Sequence, residues 1–141
     1  MKTNTLIKHY IQEFKGYWRY KDRSSITNNS GVYCVYAGSY NSIEDTVSLR
    51  KLLYIGQSEN IRERISNHEK ETEWKRYLYS GEELMFSCTN LSIPELDRFE
   101  AAMIYKHKPP TNTEYVYNFP FSTTEVTTYG SKAHLYDNFV V

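Results

Sequence analysis

Five residues of this 141-residue chain have the types needed to cut a phosphodiester with one metal ion: Tyr33, Tyr54, Arg64, His68 and Glu100. A carboxylate can hold a hard divalent cation, and an arginine fork matches a phosphate. Phenol and imidazole groups position and move protons. Glu100 carries the sharpest local signal. At about 100° per residue, Leu96, Phe99, Met103 and Ile104 define one apolar helical arc, and Glu100 falls inside it. A carboxylate there needs a cation, either a metal ion or an arginine. It therefore reads equally as a site residue or as half of a structural ion pair.

Elements must bring these residues together. Residues 59–70 read as a helix capped by Ser58, with Asn60, Arg64 and His68 at i, i+4 and i+8 forming one polar stripe. Ile61 and Ile65 form the neighbouring apolar stripe, so the polar one borders the core, where an arginine suits bidentate contact with a phosphate. Residues 31–37 and 52–56 read as paired strands. Alternation sets Tyr33 and Val35 against Val32, Cys34 and Tyr36, while Tyr54 and Gly56 share a face. Gly56 removes a side chain where a backbone or ligand comes close. By themselves, two tyrosines on paired strands are equally explained by packing.

The remaining chain reads as a helix over 3–14, capped by Thr3 or Thr5, from apolar positions 6, 7, 10, 11 and 14. A polar loop follows at 22–30, and another loop spans 38–51. A short helix is expected at 74–79 and a third strand at 83–89. The Ser92-x-x-Glu95 capping box starts a helix to about Lys106, ended by Pro109-Pro110. Segments 125–129 and 132–136 flank Gly130-Ser131 as a hairpin. This order defines an α+β class.

Length and composition fit one globular domain, 40% hydrophobic and 24% charged. Formal net charge is zero, so bulk charge does not advertise nucleic acid. The distribution is uneven: residues 1–30 hold six Lys/Arg against two acids, and the remainder holds 11 against 15. A basic arm could grip phosphates, or form a solvated surface helix. Cys34 and Cys88 lie in strand-like runs without a zinc or redox motif and read as buried thiols. No apolar run approaches membrane length and no signal-peptide pattern is visible, so no membrane partner and a cytoplasmic location are expected.

Together these features resemble the GIY-YIG nuclease family. Gly31-Val32-Tyr33 and Tyr54-Ile55-Gly56 stand as its two name motifs, and the resemblance covers about 31–112. Arg64 follows the second tyrosine by ten residues and His68 comes four later. Glu100 sits in the later helix, with Asn112 twelve residues on. The resemblance implies a three-stranded antiparallel sheet flanked by helices, with an N-terminal helical arm over 1–30 and a β-rich extension over 113–141. It also implies single-metal hydrolysis of DNA, by homing, restriction or repair enzymes. Tyr33 would activate or orient the attacking water, Tyr54 would hold that network, and His68 is a candidate proton acceptor for Tyr33. Arg64 would act on the scissile phosphate, Glu100 would hold one Mg²⁺ or Mn²⁺, and Asn112 would brace the site.

The chain departs from the family pattern in two places. The tyrosines are 21 residues apart, through an insertion at 38–51, and Gln57 replaces a common lysine, weakening support for a tyrosine base. A non-catalytic DNA-binding or interaction module on the same fold is the alternative, and RNA or branched DNA are further substrates. A palindromic target would imply a homodimer. Tyr115, Tyr117, Phe119 and Phe121 would then offer a dimer surface, or else pack on the core.

Overall fold

The computed structural model describes residues 6–141, so the expected caps at Thr3 and Thr5 lie outside the described residues. In chain order the strands and α-helices are β1 (Lys8–Arg19), β2 (Gly31–Asn41), β3 (Thr46–Ser58), α1 (Ile61–Ser66), α2 (Glu71–Lys75), β4 (Glu83–Asn90), α3 (Leu96–His107), β5 (Thr124–Gly130) and β6 (Asn138–Val140). The class is α+β. The sheet, however, has six strands in the order β3-β2-β4-β1-β5-β6, not three. The expected antiparallel trio is β3-β2-β4, and β1 extends it antiparallel to β4. β5 then joins β1 in parallel.

The N-terminal helix is corrected to a strand. Tyr10 and Phe14 are buried, while Ile11 between them is 69% exposed. Positions 10 and 14 share a face in a helix and in a strand alike, so the spacing of that pair cannot distinguish them. Two flanking ladders, on β4 and β5, decide the matter through long-range pairing. Four of the six basic residues of this region are held in ion pairs, so they are not a free arm. Lys8 pairs with Glu95 (3.2 Å), Arg19 with Glu83 (2.9 Å), Lys21 with Asp22 (3.1 Å) and Arg23 with Glu71 (3.2 Å).

Other boundaries shift for local reasons. The helix expected at 59–70 ends at Ser66, and Asn60, not Ser58, caps it by accepting the Glu63 N–H (3.1 Å). The second short helix runs Glu71–Lys75, earlier than 74–79. Ser92 makes no side-chain cap bond. The Glu95 carboxylate instead accepts the Tyr10 hydroxyl (2.6 Å), and a 3₁₀ turn, Ile93–Glu95, leads into α3. Lys108 closes α3 in the left-handed region (φ 46°) just before the two prolines. The 38–51 segment is not a loop: β2 and β3 continue as a ribbon to Asn41 and Thr46. Residues 132–136 form no strand, because β5 pairs instead with β6, in the register Val126↔Phe139.

The sheet separates two cores. α3 covers Val32, Cys34, Tyr36, Tyr10 and Phe14 on one face. α1 and α2 cover Tyr33, Val35, Leu53 and Phe86 on the other, through Ile61, Ile65 and Trp74. Cys34 and Cys88 are buried free thiols. Tyr115 and Phe119 pack on the α3-side core, and Tyr117 stands in solvent. Among the described residues no helix is long and apolar enough to cross a membrane.

The strand assignment of residues 8–19 makes a clear prediction. Ile11→Lys should change stability by no more than about 0.5 kcal/mol. Phe14→Ala should cost about 3–5 kcal/mol. Urea denaturation of both variants checks this, since a helix burying the 7/11/14 stripe would penalise both.

Candidate active site

The two name motifs meet because β2 and β3 pair with Tyr33 directly opposite Gly56. A Cβ on Gly56 would lie 2.5 Å from the Tyr33 ring and hydroxyl and 2.7 Å from the Tyr54 ring. The missing side chain is therefore the space through which Tyr33 crosses β3, and Tyr54 packs alongside with ring centroids 6.2 Å apart. Gly31 is equally constrained, since a Cβ there would collide with the Thr89 carbonyl oxygen.

A clasp fixes the rest of β3. Asn112 accepts the Ile55 N–H (3.0 Å) and donates to the Ile55 carbonyl (2.8 Å), imitating a paired strand at the sheet edge. Thr111 adds a hydroxyl bond to the Leu53 carbonyl (2.6 Å). These bonds lay the 109–114 segment along β3 and lead it past Tyr54.

The resulting cleft, about 360 Å³, is lined by Tyr33, Tyr54, Gln57, Arg64, Asp97, Glu100, Glu114 and Tyr115. Four of the five chemistry-bearing residues thus converge directly. His68 stands behind them, buried, with Nε2 2.9 Å from the Tyr33 hydroxyl and its ring 4.4 Å from that of Trp74. Asn60 is not brought in: it caps α1 and borders a separate groove beside Arg64. The expected stripe of Asn60, Arg64 and His68 is broken because α1 ends before His68, which the following turn folds back toward Tyr33.

The hydrogen bonds assign the imidazole. The Lys70 backbone N–H donates to His68 Nδ1 (3.1 Å), so a neutral ring carries its proton on Nε2 and donates it to the Tyr33 oxygen. His68 is therefore a donor to Tyr33, not the proton acceptor expected from the sequence. Burial, aided by Arg64, lowers its pKa to about 4, which keeps the ring neutral. Burial also raises Tyr33 well above the ordinary tyrosine range and Tyr54 to about 12. Both hydroxyls are protonated near neutrality, and the Arg64 charge is what favours the phenolate of each.

Arg64 makes a two-pronged pair with Glu69, at 2.6 and 2.7 Å. Glu69 was not anticipated from the sequence, and neither were Asp97, Glu114 and Tyr115 in the cleft wall. Asp97 was detectable, lying three residues before Glu100 on the same helix face. Gln57 donates one amide to both Asp97 (2.6 Å) and Glu100 (3.0 Å). Burial pushes the Glu100 pKa up to about 7. Glu114 and Asp97 add to the rise, and the Gln57 bond opposes it.

The match with known families agrees with this geometry. The family described as the GIY-YIG catalytic domain matches residues 29–115. The chain belongs to that family, a family of nucleases. No curated protein and no solved structure matches the chain.

Two predictions follow from the geometry of Gly56 and the shifted pKa values. Gly56→Ala should cost about 1–3 kcal/mol by overpacking, and it should displace Tyr33, which tyrosine fluorescence and thermal melting would report. The pH dependence should come from two opposed groups. Glu100, raised to about 7, binds a proton in the native state that it lacks when unfolded, so its contribution falls as pH rises from about 4.5 to 7. His68, lowered to about 4, contributes in the opposite sense between about 4 and 6.5. Urea denaturation across pH should show Glu100→Gln rising more steeply than the parent between pH 4.5 and 6.5, and His68→Gln less steeply.

Proposed function

We propose that this protein is a divalent-metal-dependent endonuclease that hydrolyses DNA phosphodiester bonds. The carrying observation is the convergence of Tyr33, Tyr54, Arg64 and Glu100, from four separate elements, on one cleft. That cleft is acidic: Asp97, Glu100 and Glu114 line it against the single cation of Arg64. A polyanion entering it meets net negative charge unless a cation comes too. The donor set suits Mg²⁺ or Mn²⁺, because Glu100 offers a hard carboxylate oxygen and such ions keep most of their waters. Among the described residues no group of three or more His, Cys, Asp or Glu side chains forms a metal cage, so Glu100 would be the main protein ligand. When bound, the ion supplies Lewis-acid stabilisation of phosphate charge.

The remaining work falls to the side chains. Tyr33, held by the His68 N–H, presents its hydroxyl to the cleft and orients the attacking water. With a pKa well above 10, it acts by orientation, not as a free phenolate. Tyr54 packs beside it and keeps the ring in place. Arg64 turns its fork to the scissile phosphate and stabilises the charge that develops there. Glu69 holds that fork in the free protein. It is 66% exposed, so the pair is weak enough for a phosphodiester to displace. Gln57 aligns Glu100 with Asp97, doing structural work where a lysine would have added charge.

Supercoiled plasmid incubated with Mg²⁺ or Mn²⁺ tests the proposal. Cutting is expected with metal and should be lost with EDTA or in Glu100→Ala. Retained DNA binding with no cutting, by a folded protein, would establish the non-catalytic module instead. Branched DNA and RNA run beside the plasmid would define the substrate. Arg64→Lys should lower kcat by about 10²–10³. Glu69→Gln should lower KM several-fold by freeing the fork, and steady-state kinetics would separate the two effects.

A further inference from the structure

Three lysines without a carboxylate partner among the described residues gather in one pocket, away from the acidic cleft. A pocket of about 420 Å³ lies between β3, the C-terminal end of α3 and the 131–136 segment, lined by Arg50, Lys51, Lys106, Lys108, His134 and Tyr136 among others, with no carboxylate. Arg50 adds only its stem, because its guanidinium is held by Glu82 at 2.7 and 2.9 Å. The three lysines are different. Among the described residues none of them is in an ion pair. Lys106 lies over the Tyr136 ring (4.6 Å), and Lys108 contacts the Val116 carbonyl and the Tyr105 ring (4.2 Å), all neutral partners. In contrast, Lys8, Arg19, Lys21 and Arg23 of the N-terminal region all face carboxylates.

We propose that this lysine pocket binds a phosphodiester group of the DNA strand a few nucleotides from the scissile one; the inference rests on DNA being the ligand of the cleft. A helix C-terminus attracts cations, which accounts for Lys106 and Lys108. It does not account for Lys51, which comes from the middle of β3. The position also fits. The pocket and the cleft lie at the two ends of one segment, 109–114, bound along β3 through Leu53 and Ile55. Lys51 precedes Tyr54 by three strand residues, roughly 10 Å. One DNA strand gains a phosphate about every 3.4 Å of its axis, so that span corresponds to about three phosphates. His134 and Tyr136 lie outside the matched 29–115 region, so the pocket is completed by this chain's own extension.

The test measures the affinity of the full chain for a duplex oligonucleotide as salt is varied, with Glu100→Gln present to block cleavage. Lys51→Gln, Lys106→Gln and Lys108→Gln are compared singly and together, after thermal melting confirms that each is folded. Loss of the one phosphate contact should reduce the slope of log K against log salt by about 1 in the triple variant, with smaller reductions in the single variants. A parent and triple variant with the same slope and affinity would overturn the pocket while leaving DNA as the ligand of the cleft. A parent that binds no DNA at all would overturn both.

Discussion

The passage of Tyr33 across β3 at Gly56 is the constraint on which the site depends. A tyrosine buried between two strands can send its hydroxyl to the far side only where the opposing residue has no Cβ. That single vacancy ties the register of β2 and β3 to the chemistry, because a one-residue slip would turn every side chain to the other face. Once Tyr33 is in place, His68 and Trp74 close behind it and Tyr54 lies beside it. The Asn112 clasp then stiffens the same stretch of β3 from its open edge. Burial of Tyr33 also keeps its hydroxyl protonated.

Charge is partitioned as sharply as shape. Three carboxylates gather in the cleft, and Arg64 is held by an exposed glutamate. Lys8, Arg19 and Arg23 of the N-terminal region form ion pairs that fasten β1 and the following turn to β4, α2 and the turn before α3. Lys51, Lys106 and Lys108, which have no ion-pair partner among the described residues, share one pocket at the end of α3. A chain with zero net charge can thus carry one acidic cleft and one pocket lined by lysines without carboxylates. Near-neutral totals conceal that division because pairing, not composition, decides which charges remain.

Much of the site was legible in the sequence because its signals are local. The tyrosine tripeptides, the ten-residue step to Arg64 and the anomaly of Glu100 on an apolar arc are all readable within one element or between neighbours. Glu69 and Glu114 were not, since their relevance depends on which turn folds back and which segment lies along an edge. The role of His68 changed for a similar reason: the amide that fixes its tautomer belongs to a turn.

The sequence by itself determined the family, the α+β class and, of the residues that meet in the cleft, Tyr33, Tyr54, Gln57, Arg64 and Glu100, because glycines, tyrosines and helix periodicity act at short range. Only the tertiary structure decided that residues 8–19 are a strand, that the sheet has six strands and that the terminal segments pair with each other across more than 100 residues. The spacing of Tyr10 and Phe14 satisfies helix and strand alike, so no local preference could choose between them. The choice was made by hydrogen bonds to β4 and β5, partners that exist only once the chain has folded.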